Sequence, residues 1–271
     1  MGTTTIRHPA VAGQFYPRNA ASLLSEVRSY LAADVTPLAA LGCIVPHAGY
    51  IYSGHVAGAV YARIDIPARC LLLCPNHTGI GTPLSIMMEG AWETPLGTVA
   101  VDSALASALL RQCQRLADDS SAHRAEHAIE VQLPFLQARR SNFRFVPIAI
   151  GTGQFDALEA LGQAIGEVVA GESERVLIVA SSDMNHYESD QITRIKDHKA
   201  IERILTLDAS GLYDVVMNED ISMCGYGPAV AMLTAVKRLG ATRAELIRYA
   251  TSGDVSGDRK MVVGYAGIAV I

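Results

Sequence analysis

Ionisable side chains directly follow three apolar segments of the chain. His47 comes after GCIVP (42–46), His77 comes two residues after RCLLLCP (69–75), and Asp183 and His186 follow RVLIVASS (175–182). Imidazole and carboxylate groups bind first-row divalent metals, and they also transfer protons near neutral pH. Each of these residues alone is better explained as a hydrogen-bonded loop residue, but three such placements together reverse that preference and favour a metal centre or an acid–base site.

Strands and helices in alternation must position these residues. We predict buried strands over 42–46, 69–75, 143–151 and 175–183, further strands near a hairpin around 83–101, and two closing strands over 244–253 and 261–271. Helical spacing predicts helices over about 55–64, 102–113, 126–140, 154–171, 190–207 and 227–239, with Pro134 kinking or restarting the third. This alternation is typical of a three-layer α/β/α fold with a mostly parallel or mixed central sheet.

In such folds, ligands bind beyond the carboxyl ends of the strands. His47, His77 and the Asp183/His186 pair are therefore expected at one edge of the sheet. Two neutral imidazoles and one anionic ligand suffice to hold a divalent metal with positions left open for a substrate. Asp183 and Cys224 both qualify as the anionic ligand, and spacing alone does not choose between them.

The bulk composition excludes several classes of function. Half of the 271 residues are hydrophobic and the formal net charge is -5, with no basic cluster, which argues against nucleic acid or an anionic membrane as partner. The first residues, MGTTTIRHPAVAG, lack the apolar core of a signal peptide, and no apolar stretch approaches the roughly 18 residues of a membrane helix. We therefore expect a cytoplasmic protein with a single domain over residues 1–271.

Four of the five cysteines fall into two groups. Cys43, Cys70 and Cys74 lie in apolar strand-like segments, where a buried structural thiol is the expected state. Cys70 and Cys74 should share one face of their strand. Cys224 differs because it lies in SMCGYGP, a glycine-rich turn before a helix.

Six motifs of mixed polar composition follow one another along the chain: RHPAVAGQFYP (7–17), PHAGYIYSGHVAG (46–58), CPNHTG (74–79), EHAIEVQLPFL (126–136), SSDMNHY (181–187) and CGYGP (224–228). Together, in this order and over nearly the whole chain, they resemble the Memo family. That family is similar in fold to the class III extradiol dioxygenases, enzymes that use non-haem iron(II).

The resemblance implies a role for each matching residue. The family's metal ligands fall on His47, His77 and Cys224, which implies iron(II), with copper or zinc as competitors. Asp183 and His186 fall in the same pocket, and His186 matches the acid–base catalyst of the dioxygenases. Those enzymes have a glutamate where this sequence has Cys224, so ring cleavage is not assigned. The resemblance also implies a radical-SAM protein as partner.

Three functions remain open from the sequence. The first is a metal-dependent oxidoreductase, the second a module that holds a peptide or a metal in the same cleft without turnover, and the third a metal-assisted hydrolase. The expected partner in the cleft is a small-molecule or peptide ligand. Roles for Glu126, His127 and Tyr50 are also open. His55, His123 and His198 are expected in surface or helical positions, Trp92 is expected to pack in a hairpin, and Asp254 and Asp258 are expected in a polar turn.

Overall fold

The strands of the protein form one large sheet and one small sheet. The computed structural model describes residues 5–32 and 35–271. Its strands are β1 (Ile6–Arg7), β2 (Gly42–Val45), β3 (Arg69–Pro75), β4 (Leu84–Ile86), β5 (Ala91–Thr94), β6 (Gly97–Ala100), β7 (Ala117–Asp118), β8 (Arg144–Ile150), β9 (Val176–Ser181), β10 (His186–Glu188), β11 (Ala244–Thr251) and β12 (Val262–Val270).

Helices precede or follow most of these strands. They are α1 (Ala20–Leu31), α2 (Tyr50–Arg63), α3 (Ser103–Gln112), α4 (Leu133–Arg139), α5 (Phe155–Ala170), α6 (Asp190–Leu205), α7 (Ala209–Asn218), α8 (Tyr226–Arg238) and α9 (Gly253–Ser256), with short 3₁₀ turns at Ser120–His123 and Glu130–Gln132. Among the helices in the described part of the chain, none is long and apolar enough to cross a membrane.

The large sheet is mixed, as predicted. Its strands run in the order β10-β12-β2-β9-β3-β8-β4-β7, and β11 also pairs with β12. The central strands β2, β9, β3 and β8 are parallel, whereas β12 is antiparallel to β2 and β4 is antiparallel to β8. The carboxyl ends of β2, β3 and β9 therefore meet at one edge. The small sheet joins β1 to the β5–β6 hairpin.

Helices cover both faces of the large sheet. One face carries Leu71 and Leu73 of β3 and is covered by α3, α5, α6, α7 and α8. The opposite face carries Cys70, Leu72 and Cys74 and is covered by α1, α2 and α4. Successive side chains of a strand point to opposite faces, so both faces of β3 must be apolar. This confirms the three-layer α/β/α prediction and places Cys70 and Cys74 on one face.

Two sequence-based predictions need correction, and one helix was not predicted. The segment 126–140 is not one helix: residues 126–129 are non-helical, and α4 begins only at Leu133, so Pro134 lies in its first turn, where a missing N–H costs little. Helix α2 begins at Tyr50 rather than near residue 55, directly after Gly49. Helix α7 was not predicted as a separate element.

The first part of the chain crosses the molecule as a strap. Residues 7–16, here called the N-terminal strap, are held by Glu130, which is fully buried. Its carboxylate pairs with Arg7, and it accepts hydrogen bonds from the backbone N–H groups of Ala10 (2.8 Å) and Val11 (3.0 Å) and from the Tyr16 hydroxyl (2.6 Å). These contacts fix the N-terminal strap to the segment that carries Glu130.

Candidate metal centre

Two histidines and one cysteine converge where the parallel strands end. His47 follows β2, His77 follows β3, and Cys224 lies two residues before α8. One donor atom of each, an imidazole nitrogen or the thiol sulfur, lies within 4.8 Å of the others. The family resemblance implied these three residues as ligands, and the fold brings their donor atoms together.

The tautomer of His47 follows from its neighbours. Its Nδ1 lies 2.9 Å from the hydroxyl oxygen of Ser181, and that hydroxyl donates its only proton to the carbonyl of Ala128 (2.7 Å). Ser181 must therefore accept from an N–H at Nδ1, which leaves a lone pair on Nε2. Burial, and then the nearby His77, hold the pKa of His47 well below its usual value, so the ring is neutral.

His77 is oriented by a buried carboxylate. Its Nδ1 donates to Oε1 of Glu126 (2.9 Å), and its backbone N–H donates to Oε2 (2.6 Å). Burial alone would raise the pKa of Glu126, but the hydrogen bond and charge of His77 outweigh it and hold that pKa at about 2. Glu126 is thus anionic, and Nε2 of His77 remains for a metal. Carboxylate–histidine pairs of this kind commonly orient metal ligands.

A second group of donors overlaps the first. His77, Glu126 and His127 also lie within 4.8 Å of one another. However, Oε1 of Glu126 already accepts from His77 Nδ1 and from the backbone N–H of Ala128 (3.0 Å). These hydrogen bonds give the carboxylate a supporting role, so the group of His47, His77 and Cys224 fits a metal better.

The Cys224 thiol completes the group. Its sulfur lies 3.2 Å from Nε2 of His47, close enough for both atoms to bind one ion. Burial, reinforced by the charge of Asp183, raises the pKa of the thiol well above its usual value, so without a metal the sulfur keeps its proton. The next residue must be small, because a Cβ on Gly225 would lie 2.4 Å from the carbonyl oxygen of Ser181.

Asp183 and His186 line the same cavity but have different partners. Asp183 accepts from the backbone N–H of His47 (2.7 Å), and burial raises its pKa. His186 places Nδ1 2.8 Å from the carbonyl of Ser222, so its neutral form carries the proton on Nδ1 and has Nε2 free to accept one. Within the described residues no hydrogen bond joins Asp183 to His186, so Asp183 positions the His47 backbone instead.

A cavity of about 580 Å³ opens beside the three donors. Sequence reasoning missed several of its walls, notably Phe15 of the strap, Tyr187 and Tyr265. The ring centroid of Phe15 lies 4.7 Å from that of His127. The lining residues are Phe15, His47, Ala48, Gly49, His77, His127, Asp183, His186, Tyr187, Ser222, Cys224, Val263 and Tyr265.

The remaining predicted positions fall outside this cavity. His123 was expected at the surface or in a helix; it lies in a 3₁₀ turn but is fully buried, with both ring nitrogens unpaired among the described residues. His198 is exposed on α6, as expected. Trp92 packs in the β5–β6 hairpin, as expected, and Tyr50 is buried. Asp254 lies in the short helix α9, where a turn was expected, and its carboxylate oxygen lies 2.9 Å from a guanidinium nitrogen of Arg194.

Fold and site together define a three-layer α/β protein that gathers two histidines and a cysteine around a cavity at the sheet edge. The family description "Memo-like protein" matches residues 7–269. This chain belongs to the Memo family.

Archaeal members of the family are similar over their whole length. A MEMO1 family protein of Methanosarcina barkeri is 45% identical over 98% of this chain and 100% of its own, and one of Methanothermobacter thermautotrophicus is 42% identical over 97% and 100%. A third, from Pyrobaculum arsenaticum, is 41% identical over 97% and 98%. The six motifs therefore identified the family correctly.

Proposed function

We propose that this protein binds one iron(II) ion through His47, His77 and Cys224 and uses it as an oxidoreductase. The observation that carries the proposal is the convergence of the three donor atoms within 4.8 Å at the wall of a cavity. The two histidines have their Nδ1 atoms engaged by Ser181 and Glu126, so each has Nε2 left for an ion.

The chemistry of the donor set fits a transition metal. Two imidazoles and one anionic ligand form the set used by non-haem iron sites, here with a thiolate in place of a carboxylate. Copper and zinc compete for such a site because both bind sulfur and nitrogen more tightly than iron(II) does. A redox-active ion held there supplies electron transfer to a substrate in the cavity.

The surrounding residues would perform the proton transfer and positioning. With its Nδ1 proton engaged by the Ser222 carbonyl, neutral His186 would accept a proton at Nε2 from a ligand in the cavity, as a general base does. Asp183 fixes the backbone of His47 by accepting its N–H. The rings of Phe15 and Tyr265 limit the access of water to the reacting groups.

Metal analysis of protein prepared without oxygen tests the proposal. Wild type should contain about one metal ion per chain, and the triple variant His47→Ala/His77→Ala/Cys224→Ala should contain none. The matched control is His55→Ala/His198→Ala/Cys113→Ala, which removes the same residue types outside the cavity and should keep the metal. Equal metal content in wild type and the first variant would refute the assignment.

Oxygen consumption by the iron-loaded protein tests the reaction class. His186→Ala should keep its metal and lose turnover, because His186 is proposed to move protons rather than to bind the ion. Zinc-stimulated ester or amide cleavage without oxygen uptake would instead identify a hydrolase. Ligand binding that is unchanged by metal removal would identify a binding module.

A further inference from the structure

Two loops that meet at the candidate metal centre are hydrogen-bonded to each other. Residues 182–186, here called the β9 loop, follow β9 and end at His186, and residues 221–225, here called the α8 loop, precede α8 and include Cys224. Ser222 of the α8 loop binds His186 twice. Its hydroxyl oxygen accepts from the His186 backbone N–H (2.8 Å), and its carbonyl oxygen accepts from Nδ1 (2.8 Å). The loop of the candidate ligand thus orients the ring of the proposed proton acceptor.

A buried asparagine holds Ser222 in this position. Asn185 of the β9 loop is fully buried, and its Oδ1 accepts from the backbone N–H (3.1 Å) and from the hydroxyl (3.1 Å) of Ser222. Its Nδ2 donates to Oε2 of Glu188 (2.7 Å). A carboxylate can only accept, so this hydrogen bond fixes which end of the amide faces Ser222.

The backbone of Asn185 is fixed to the core of the molecule. Its N–H donates to Oδ1 of Asp197 on α6 (2.8 Å), and its carbonyl accepts from the backbone N–H of Gly264 on β12 (2.9 Å). Asp197 is itself fully buried and accepts from the Tyr249 hydroxyl (2.6 Å). Asn185 therefore has a rigid base from which it can hold the exposed Ser222.

Stability alone does not account for this arrangement. Ser222 is exposed and Glu188 is partly exposed, so water would satisfy both partners of the Asn185 side chain if that side chain were apolar. Burying an amide costs free energy unless it is hydrogen-bonded, and an apolar side chain would avoid that cost. What the amide adds is a fixed position for Ser222, and through Ser222 for the His186 ring.

We propose that Asn185 is a positioning residue that couples the candidate ligand Cys224 to the proton acceptor His186 through Ser222. The proposal rests on the proposed function for the roles of Cys224 and His186. With Ser222 held, neutral His186 keeps its proton on Nδ1 and has Nε2 free, and the α8 loop keeps the Cys224 sulfur beside His47. Without Asn185, both the imidazole ring and the sulfur lose their fixed positions.

The tautomer of His186 tests the coupling. NMR of ¹⁵N-histidine-labelled, metal-free protein at pH 8.5, about two pH units above the ordinary imidazole pKa, reports which ring nitrogen carries the proton. The His186 signals are assigned by their absence in His186→Ala. Wild type should show the proton on Nδ1, whereas Asn185→Ala should show both tautomers, because the Ser222 carbonyl is no longer held. A wild-type tautomer in Asn185→Ala would overturn the proposal.

Met184→Ala is the matched control for a loss of stability. Met184 precedes Asn185 in the chain and is fully buried in the core, outside the residues that line the cavity. Its truncation should lower the Tm, as Asn185→Ala should, but keep the proton of His186 on Nδ1. If Met184→Ala also mixes the tautomers, general destabilisation explains the change and Asn185 has no specific role.

Amide hydrogen exchange in wild type provides a test that does not depend on the folding of a variant. Ser222 is exposed, yet its backbone N–H is bonded to the buried Oδ1 of Asn185. This amide should therefore exchange at least roughly tenfold more slowly than in an unstructured peptide of the same sequence. Exchange of the Ser222 amide at the unprotected rate would show that Asn185 does not hold the α8 loop in solution.

Zinc affinity and the tautomer together separate this proposal from the proposed function. Asn185→Ala should bind zinc roughly tenfold more weakly than wild type, because the loop of Cys224 loses its anchor. Equal zinc affinity in the two proteins would overturn the coupling. If wild type binds no metal but Asn185→Ala mixes the tautomers, only the metal centre is contradicted. If wild type binds one metal ion and Asn185→Ala keeps the wild-type tautomer, only the coupling is contradicted.

Discussion

At the scale of single residues, groups behind the three candidate ligands determine which ligand atoms are free. Ser181 fixes the proton of His47 on Nδ1, and Glu126 does the same for His77. Gln132 in turn donates to both the Pro46 carbonyl (2.9 Å) and the Ser181 hydroxyl (2.9 Å). Metal affinity should therefore depend on residues that never touch the ion.

Glu126→Gln should weaken metal binding by about 10- to 100-fold. The amide still accepts a hydrogen bond from His77, but it lacks the negative charge that makes the imidazole a better donor. Zinc affinity measured by competition with a coloured chelator gives the comparison. His186→Ala is the control and should bind zinc like wild type, since His186 is not among the candidate ligands. An unchanged zinc affinity in Glu126→Gln would show that the hydrogen bond between Glu126 and His77 has only a structural role.

Cys224→Glu should keep metal binding but change the order of preference. A carboxylate completes a two-histidine site, yet it is a harder ligand than a thiolate, so selectivity should move from copper and zinc towards iron(II) and manganese(II). Competition between these ions, run side by side on both proteins, is the measurement. If copper and zinc keep the same advantage in both proteins, Cys224 is a neighbour of the ion rather than a ligand.

At the scale of elements, one buried ion pair holds the N-terminal strap and thereby a wall of the cavity. Arg7 and Glu130 are almost fully buried, and the strap they fix carries Phe15, whose carbonyl also accepts from the backbone N–H of Tyr50 (2.8 Å). Buried charges that lose their partner are costly because they cannot be solvated again without unfolding.

Glu130→Gln should lower the free energy of unfolding by about 3–5 kcal/mol, because it leaves the Arg7 guanidinium buried without a counter-charge. Urea denaturation followed by circular dichroism measures the loss. Glu93→Gln is the matched control: Glu93 pairs with His8 at the surface, where both side chains are largely exposed, and its loss should change stability by less than about 1 kcal/mol. Similar losses in both variants would contradict the role given to Glu130.

The elements differ in how far the sequence predicts them. Strand β3 was predicted with its observed bounds, because an apolar run between an arginine and a proline has few alternatives in an α/β fold. The structure of the segment 126–132 was not predicted correctly. Glu126 and Glu130 accept hydrogen bonds from distant parts of the chain, including the backbone N–H groups of His77 and Ala10. Those tertiary bonds outweigh the helical periodicity that the local sequence shows.

At the scale of the whole molecule, the sheet topology explains which part of the site was predictable. Parallel strands end at the same edge, so residues that follow β2, β3 and β9 must meet there, whatever their distance in sequence. The other walls of the cavity come from the strap and from β12, and no local pattern indicates that Phe15 and Tyr265 face the same space. Their placement depends on the packing of the entire chain.

Two buried groups, His123 and Asp197, should affect the pH dependence of the stability in opposite directions. Burial, reinforced by Arg7, lowers the pKa of His123 from 6.5 to about 4 in the folded protein. Burial raises the pKa of Asp197 to about 7, although Tyr249 donates to its carboxyl group (2.6 Å). Asp197 therefore favours the folded state at low pH and loses that contribution as the pH rises towards 7.

His123 acts in the other direction. Above pH 6.5 the ring is neutral in both states, whereas between pH 6.5 and about 4 only the unfolded chain takes up the proton. The contribution of His123 to the free energy of unfolding is thus complete above pH 6.5, and it falls by about 3 kcal/mol as the pH drops from 6.5 to 4. His123→Leu removes this term and leaves Asp197 in place, so the variant should lose less stability than wild type on acidification. Urea midpoints measured from pH 7 to pH 4 give both curves, and parallel curves would show that His123 has a hydrogen-bond acceptor or a route to solvent in the folded state.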